Sequence, residues 1–343
     1  MQLRINYILI KAFTRSIQSS LIALTFIILF FSSICKASTE SSFDDWLSSY
    51  KKFALKNGIS QDTINVAFKN VKFLDQVIKY DRKQPEFFED TTTYVNKRAN
   101  SSRVKKAKIL LKKNNNLFIE VENKFSVEKE ILLALWGIET NFGKHVGKMD
   151  IISSLATLSF DKRRSEFFSS QLLVLLKLID KKLIDPSKLY GSWAGAYGNF
   201  QFMPSTINRY AIDYNGDNKI QLKTSLEDSL ASAANYINKI GWKKGEPCFY
   251  RVKLTDKIKK KYINSSARNI SNRLKVSKWK KKGVVKFDGS EFDNNFKAAL
   301  ILPDGKPDSP SFLVFSNYEK ILKWNRSLRF GISVCTLANM IKT

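Results

Sequence analysis

A single histidine, His145, stands in 343 residues. That scarcity excludes a multi-histidine metal site and argues against Ser-His-Asp or Cys-His catalysis. There are only three cysteines, Cys35, Cys248 and Cys335, so no thiol-rich metal centre or disulfide-dense scaffold is encoded. Acid is scarce as well, with 31 Asp and Glu against 58 Lys and Arg, a formal net charge of +27. Such an excess fits an anionic partner, whether nucleic acid, a membrane surface or an acidic wall polymer. It fits equally a lysine-rich surface solvated on its outer faces. The lysines are scattered (Lys105-Lys106, Lys112-Lys113, 259–261, 280–282), with no recognition-helix pattern, zinc spacing or RNA-binding aromatic signature. A dedicated nucleic-acid binder is therefore not expected. Internal repeats are also missing.

What is present supports a folded protein: 43% hydrophobic and 13% aromatic residues over a length that can bury a core. The N-terminus has the form of an export signal. Arg4, Lys11 and Arg15 precede an apolar run over 21–31, and Cys35 and Ala37 fit cleavage after Ala37. An uncleaved membrane anchor and a lipid-modified Cys35 are the alternatives, the latter disfavoured by Ile34. Export would place Cys248 and Cys335 in an oxidising compartment, as a disulfide or as two buried thiols.

Helices are expected over 43–56 (closed by Gly58), 60–69, 102–124, from Ser126 through Glu139, 164–183, after Pro204, 226–240 and 329–341. Residues 80–102 look irregular with short helical pieces. Short strands are expected over 249–254, 283–287, 298–302 and 311–315. The fold class is mainly α (α+β), with a small β-rich insertion late in the chain. The expected organisation is a signal peptide over 1–37, an N-terminal helical part over 38–125, a core over 126–245 and a β-rich part with a closing helix over 246–343.

With histidine all but absent, chemistry must come from carboxylates. Glu139 ends an apolar helix, on the stripe of Leu132 and Leu135. Burial beside Trp136 and Ile138 would disfavour its carboxylate and keep a proton available for a glycosidic oxygen. A solvent-facing or Lys-paired glutamate is the ordinary alternative. The segment 191–205 combines small residues with Ser192, Asn199 and Gln201 as hydrogen-bonding groups and Trp193 and Tyr197 as flat faces. Sugars need that mixture, though a Gly-rich loop packed under aromatics has the same composition. No Gly-Lys-Ser/Thr follows it, so it is not a phosphate loop. In 213–220, Asp213, Asn215 and Asp217 are spaced like the opening of a calcium-binding EF-hand loop. Asn218 holds its sixth position and Thr224 its twelfth, where a bidentate Glu is normal. Asp228 or Glu227 is the substitute ligand, and a metal-free polar turn is the alternative.

Together these segments resemble the lytic transglycosylases of the membrane-bound lytic murein transglycosylase B family (glycoside hydrolase family 103). The likeness rests on the residues 137–143, 155–160, Arg163-Arg164, 191–205 and 234–236, in that order. It implies a lysozyme-like helical core with Glu139 as general acid and then base. It implies sugar contacts from Ser192 and Gln201 and an active-site aromatic at Tyr236. Trp324, Asn325 and Phe330 match a family segment that faces the cleft, with Trp324 and Phe330 in place of two tyrosines, so stacking survives and hydroxyl hydrogen bonds do not. Tyr197 replaces the family's usual Met. The calcium loop has a family counterpart, one residue shorter before Asp228.

The function this implies is cleavage of the β-1,4 bond between N-acetylmuramic acid and N-acetylglucosamine, with a 1,6-anhydromuramic acid end as product. Only one carboxyl lies in a convincing site, and Asp150, Asp161 and Glu166 have no matching role. Ring closure by the sugar's own 6-hydroxyl suits a lone carboxylate better than hydrolysis does. A hydrolytic muramidase and a non-catalytic peptidoglycan-binding protein are the competing readings. No cofactor is required; Asp213, Asn215, Asp217 and Asp228 are the candidate ligands of a structural calcium ion, with the metal-free turn as the alternative. The expected partner is the glycan strand, not nucleic acid. The expected state is a periplasmic monomer, soluble or membrane-associated through its N-terminus.

Overall fold

The computed structural model describes residues 42–83, 89–255, 258–306 and 308–343. The expected export signal over 1–37, with Cys35 and Ala37, lies outside them. The described residues divide into two compact units, one ending at Ile64 and the other running from Asn65 to Thr343. In the first, residues 42–56 form helix α1. Phe43, Trp46 and Tyr50 stack along it at 5.8 and 5.1 Å between ring centroids. Gly58 (φ 84°) turns the chain after it, as expected. Ser60 Oγ then accepts the Thr63 N–H at the start of α2 (Gln61–Ala67).

The second unit carries the site. Its first helices are α3 (Asp75–Arg82), α4 (Thr91–Arg98), α5 (Ser101–Lys113) and α6 (Asn115–Phe125). The single helix expected over 102–124 is therefore two. Asn114 leaves helical geometry (φ −119°, ψ 31°), and its amide donates to the Leu110 carbonyl, which closes α5. Ser126 does not start the next helix either. It sits left-handed (φ 53°) as the C-terminal cap of α6. Helix α7 (Lys129–Thr140) begins after Glu128, whose carboxylate takes the Trp242 indole N–H and the Gly245 N–H, both at 2.6 Å.

Strand β1 (Met149–Asp150) leads into α8 (Ile151–Phe160), capped by Asp150, and α9 (Ser165–Asp180) packs against it. β1 pairs antiparallel with β2 (Tyr190–Gly191). Then come α10 (Pro204–Tyr210) and α11 (Leu226–Lys239), the latter followed by Gly241 at φ 92°. Helix α8 has no amphipathic period to read, because its residues 151–159 are all buried.

The four expected late strands form one sheet with two short ones, over 263–264 and 274–275, that were not expected. They are β3 (Phe249–Leu254), β4 (Ile263–Asn264), β5 (Leu274–Lys275), β6 (Val284–Lys286), β7 (Lys297–Ile301) and β8 (Ser311–Val314), with α12 (Val276–Lys280) between β5 and β6. The order is β4-β7-β8-β3-β6, with β5 also on β7, and only β4 and β7 run parallel. Trp279, Val284, Leu300, Leu313 and Phe315 fill its core, and the Trp279 indole donates to the Ala298 carbonyl.

The chain closes with α13 (Ser316–Trp324) and α14 (Leu328–Lys342). Helix α14 lies along α7. Buried Asn317 bonds the main chain of Lys243 and Glu246 and so anchors the start of α13. Cys248, just before β3, is bonded to Cys335 in α14, with their Cα atoms 6.1 Å apart. Among the described residues no helix is long and apolar enough to cross a membrane.

Candidate active site

Helix α7 is apolar on nearly every side: residues 131–137 are buried. Its last turn delivers Glu139, half-buried, between buried Gly137 and buried Thr140. The chain then takes three left-handed residues in a row, Asn141 (φ 50°), Phe142 (φ 59°) and Gly143 (φ 80°). Left-handed geometry is costly away from glycine, so the surroundings must hold it. The Phe142 N–H returns to the Trp136 carbonyl, and its ring folds over Gly137. A Cβ there would lie 2.7 Å from that ring, so any other residue would have to push the ring aside.

Two cations from α5 hold this helix end. Arg103 Nε donates to the Gly137 carbonyl at 3.2 Å, and Lys106 Nζ to the Asn141 carbonyl at 3.0 Å. They lie three residues apart on one face of α5, and they meet the negative end of the α7 dipole. Neither residue stands out in the sequence, where the lysines fit an anionic partner and a solvated surface equally. The i, i+3 spacing was the available signal, hidden among neighbouring lysines.

The Gly-rich segment is bolted to α7 from the other side. Trp136 Nε1 donates to Asn199 Oδ1 at 3.2 Å, and Thr140 Oγ1 donates to the Asn199 carbonyl at 2.8 Å. Asn199 Nδ2 donates in turn to the Leu222 and Lys223 carbonyls and to Ser229 Oγ. Asn199 is thus an internal tie, not a sugar ligand. The glycines serve close packing within the protein: a Cβ on Gly147 would lie 2.0 Å from the Gly191 carbonyl oxygen, and one on Gly198 would lie 2.5 Å from that of Leu222.

Ser192 Oγ accepts the Ala194 and Ala196 N–H groups and shapes a tight turn. Tyr197 and Phe202 pair as a β-bridge, enclosing Gln201 in left-handed geometry (φ 49°). Gln201 Nε2 donates to the Gly198 and Val146 carbonyls. Ser192 and Gln201 are both half-buried.

From the C-terminal end of α13, Trp324 Nε1 donates to Glu139 Oε1 at 2.9 Å. Behind it stands a column of rings. Trp324 stacks on Tyr236 (5.0 Å, 24°) and Tyr236 on Tyr210 (4.4 Å, 22°). Phe202 meets both Tyr236 and Trp324 edge-on. The Tyr236 hydroxyl donates to the Lys323 carbonyl at 3.0 Å, and burial, with Tyr210 beside it, pushes that phenol up to about 12.

Two expected substrate contacts change meaning. Tyr236 has a ring on each face and is 9% exposed, so it backs Trp324 rather than offering a free surface. Phe330 is 3% exposed inside α14, because the helix turns that side toward the core. Asn325 is half-buried at the end of α13, its carbonyl taking the Ser327 N–H.

The other carboxylates considered from the sequence stand in other surroundings. Asp150 caps α8 and Asp161 pairs with Arg82, while Glu166 is exposed in the first turn of α9. In the acidic loop, Asp213 accepts the N–H groups of Gly216, Asp217 and Asn218, Asn215 that of Asp217, and Asp217 that of Lys219. That is a turn built around side-chain oxygens. Asp228, expected as a ligand, is fully buried and spends its carboxylate on the Tyr214 and Gln221 N–H groups. Thr224 donates to Gln221 Oε1. Calcium takes six to eight oxygens, and both carboxylate oxygens of Asp213 and of Asp217 already accept hydrogen bonds within the loop. Among the described residues no three Asp, Glu, His or Cys side chains group to hold a metal.

The helical core with its small sheet is that of the lysozyme-like class. A family model described as a transglycosylase SLT domain matches residues 42–339, and the chain belongs to that family. The membrane-bound lytic murein transglycosylase B of Escherichia coli (strain K12) is 31% identical over 222 residues, 63% of this chain. The chain spans 58% of the length of that relative. SltB3 of Pseudomonas aeruginosa, solved with NAG-NAM-pentapeptide and with NAG-anhNAM-pentapeptide, superposes with a TM-score of 0.80 at 34% identity, over 88% of this chain and 79% of that one. Lytic transglycosylase Slt35 of Escherichia coli, solved with calcium, gives 0.73 at 25% identity over 88% and 93%.

Proposed function

We propose that this protein is a lytic transglycosylase of peptidoglycan. It cleaves the β-1,4 bond between N-acetylmuramic acid and N-acetylglucosamine and leaves a 1,6-anhydromuramic acid end. The observation that carries this is Glu139, held by Trp324 in the aromatic cradle, while Asp150 and Asp161 are committed to other partners. A hydrolase of the usual kind needs a second carboxyl group beside the bond. One acid suffices if the nucleophile belongs to the substrate. Glu139 protonates the leaving oxygen, and the sugar's N-acetyl group stabilises the electron-poor carbon. The carboxylate then takes the proton of the 6-hydroxyl as that oxygen closes the ring. Tethering supplies the advantage that an activated water would otherwise provide. The complex of SltB3 with an anhydro-sugar peptide supports the same product here. Ser192, Gln201, Trp324 and Asn325 are the side chains we assign to the strand.

Mass spectrometry of muropeptides released from purified sacculi tests this reading. The expected products lack the water, about 18 Da, that hydrolysis would add. A digest dominated by hydrated ends would overturn it in favour of a muramidase. Pelleting with sacculi and no release would make the protein a binder. The periplasm is the compartment this substrate implies. The acidic loop takes calcium weakly, through Asp213, Asn215 and Asp217 alone. Millimolar calcium is expected to raise the melting temperature by about 1–3 °C, and D213N to abolish the rise.

A further inference from the structure

We infer that the cleft between helices α4 and α14 and the outer face of the sheet is a second binding site, and that it takes an acidic peptide, the carboxylate-bearing peptide stem of the wall polymer. The choice of polymer rests on the proposed function; the chemistry of the site does not. The cleft encloses about 310 Å³, within the range of ligand pockets. Its walls come from α4 (Asn96), from β3 and β8 (Phe249, Arg251 and Phe312) and from α14 (Thr336 and Asn339). No residue of α7, of the segment 191–205 or of α13 lines it, so it is separate from the surroundings of Glu139.

Strand alternation builds the sheet side. Val252 of β3 turns into the sheet core, so Phe249, Arg251 and Lys253 stand on the opposite face. Arg251 is paired in register with Phe312, which therefore lies beside it on that face. Phe249 and Phe312 meet edge-on at 5.1 Å and give the cleft an aromatic side. The Arg251 guanidinium lies 3.8 Å from the centroid of the exposed Phe287 ring, and the Lys253 ammonium 4.6 Å from the same ring. Among the described residues neither cation meets a carboxylate. In a chain with 58 basic and 31 acidic residues, an unpaired cation alone selects nothing. Arg251 differs because it lines a cleft, beside aromatic rings and opposite two amides. Asn96 and Asn339 are exposed, and among the described residues their side-chain amides have no hydrogen-bond partner. An amide donates and accepts, which suits the peptide group. A guanidinium suits a carboxylate, through two parallel hydrogen bonds.

The walls are fixed in advance. Cys248, next to Phe249, is bonded to Cys335, next to Thr336, so the disulfide joins the sheet wall to the α14 wall. Asp304 accepts the Thr91 N–H and hydroxyl and the Arg329 guanidinium, which ties the start of α4 to α14. A preformed site spends little of its binding energy on ordering itself. Each muramic acid carries a stem, so holding one stem here raises the local concentration of strand at Glu139.

Calorimetry on the full chain tests the site without relying on catalysis. The probe is a synthetic stem pentapeptide without sugar, compared with the same peptide bearing amides in place of its carboxylates. The wild type is expected to bind the first at least about tenfold more tightly than the second. R251Q should weaken binding about fivefold and R251E further; both replace an exposed side chain, and melting curves check the fold. N96W, also at an exposed position, fills the cleft without changing charge and should weaken binding too. E139Q should bind as the wild type does. No binding by the wild type, or equal binding by R251Q, R251E and N96W, overturns the inference. Loss of binding in E139Q would place the peptide at the catalytic residue and also overturn it. Equal affinity for an unrelated acidic peptide, such as an oligoglutamate, would overturn the assignment to the wall.

Kinetics supply the second arm. On sacculi R251Q should raise KM about threefold with kcat unchanged, and on glycan strands stripped of their stems it should match the wild type. An equal rise on stripped strands would overturn the role of the stem. Absence of muropeptide release by the wild type would sink the proposed function and leave the calorimetric result standing.

Discussion

Trp136 and Asn199, 63 positions apart, share a buried hydrogen bond of 3.2 Å from indole to amide oxygen. Through it the helix that bears Glu139 and the Gly-rich segment become one rigid piece. Asn199 reaches Leu222, Lys223 and Ser229 with its other end, so the loop before α11 joins the same piece. Replacing Asn199 by alanine strands the Trp136 donor inside the protein. A buried group without its partner costs about 1–3 kcal/mol, and several contacts are lost here. N199A is expected to be destabilised by roughly 2–4 kcal/mol in urea unfolding. A loss below about 0.5 kcal/mol would show that the tie is not structural.

Glu139→Gln separates shape from chemistry. Glutamine preserves the acceptor that Trp324 uses, so the fold and melting temperature should change little. It cannot donate a proton or take one back, so muropeptide release should fall by at least about 100-fold. Activity within a few-fold of wild type would remove Glu139 from the mechanism.

The Cys248–Cys335 bond closes a loop of 87 residues between the start of the sheet and α14. Cross-links of that span typically contribute about 2–5 kcal/mol, largely by restricting the unfolded chain. Reduction, or C335S, should lower stability by that order. Helix α14 lies along α7, so a fall in activity at elevated temperature should follow. An unfolding curve unchanged by reductant would contradict this.

Acid should weaken the protein through Asp81. It is 3% exposed and bonded to Arg82, Arg163 and Arg164. Burial pushes its carboxyl up, but the hydrogen bonds and charge of Arg163 and Arg164 outweigh that and hold it below the usual carboxylate range. A depressed folded value means stability that is in place above the unfolded value of about 3.9 and is lost as pH falls through the folded one. D81N should be less stable at neutral pH and should lose less on going from pH 5 to pH 3. An equal acid loss in both proteins, measured by thermal melts, would exclude Asp81 as the source.

Local chemistry made much of this protein legible in its sequence. The apolar period of α9, α11 and α14, the run of late strands and the Gly58 and Gly241 stops all depend on neighbours in the chain, and all appear where expected. Glu139 stood out because a carboxyl on an apolar stripe is unusual. Tertiary contacts decided the rest. Helix α8 is buried on every side and shows no period to read, while the break at Asn114 and the left-handed cap at Ser126 are set by how the chain must turn to pack. Arg103 and Lys106 look like any surface lysine-rich stretch until α7 ends beside them. Trp324 lies 185 positions from Glu139. Hydrogen bonding depends on distance in space, and no sequence period encodes a contact of that separation. Phe330 and Tyr236 went inward for the same reason, since which face of a helix meets the core is settled by the elements packed against it.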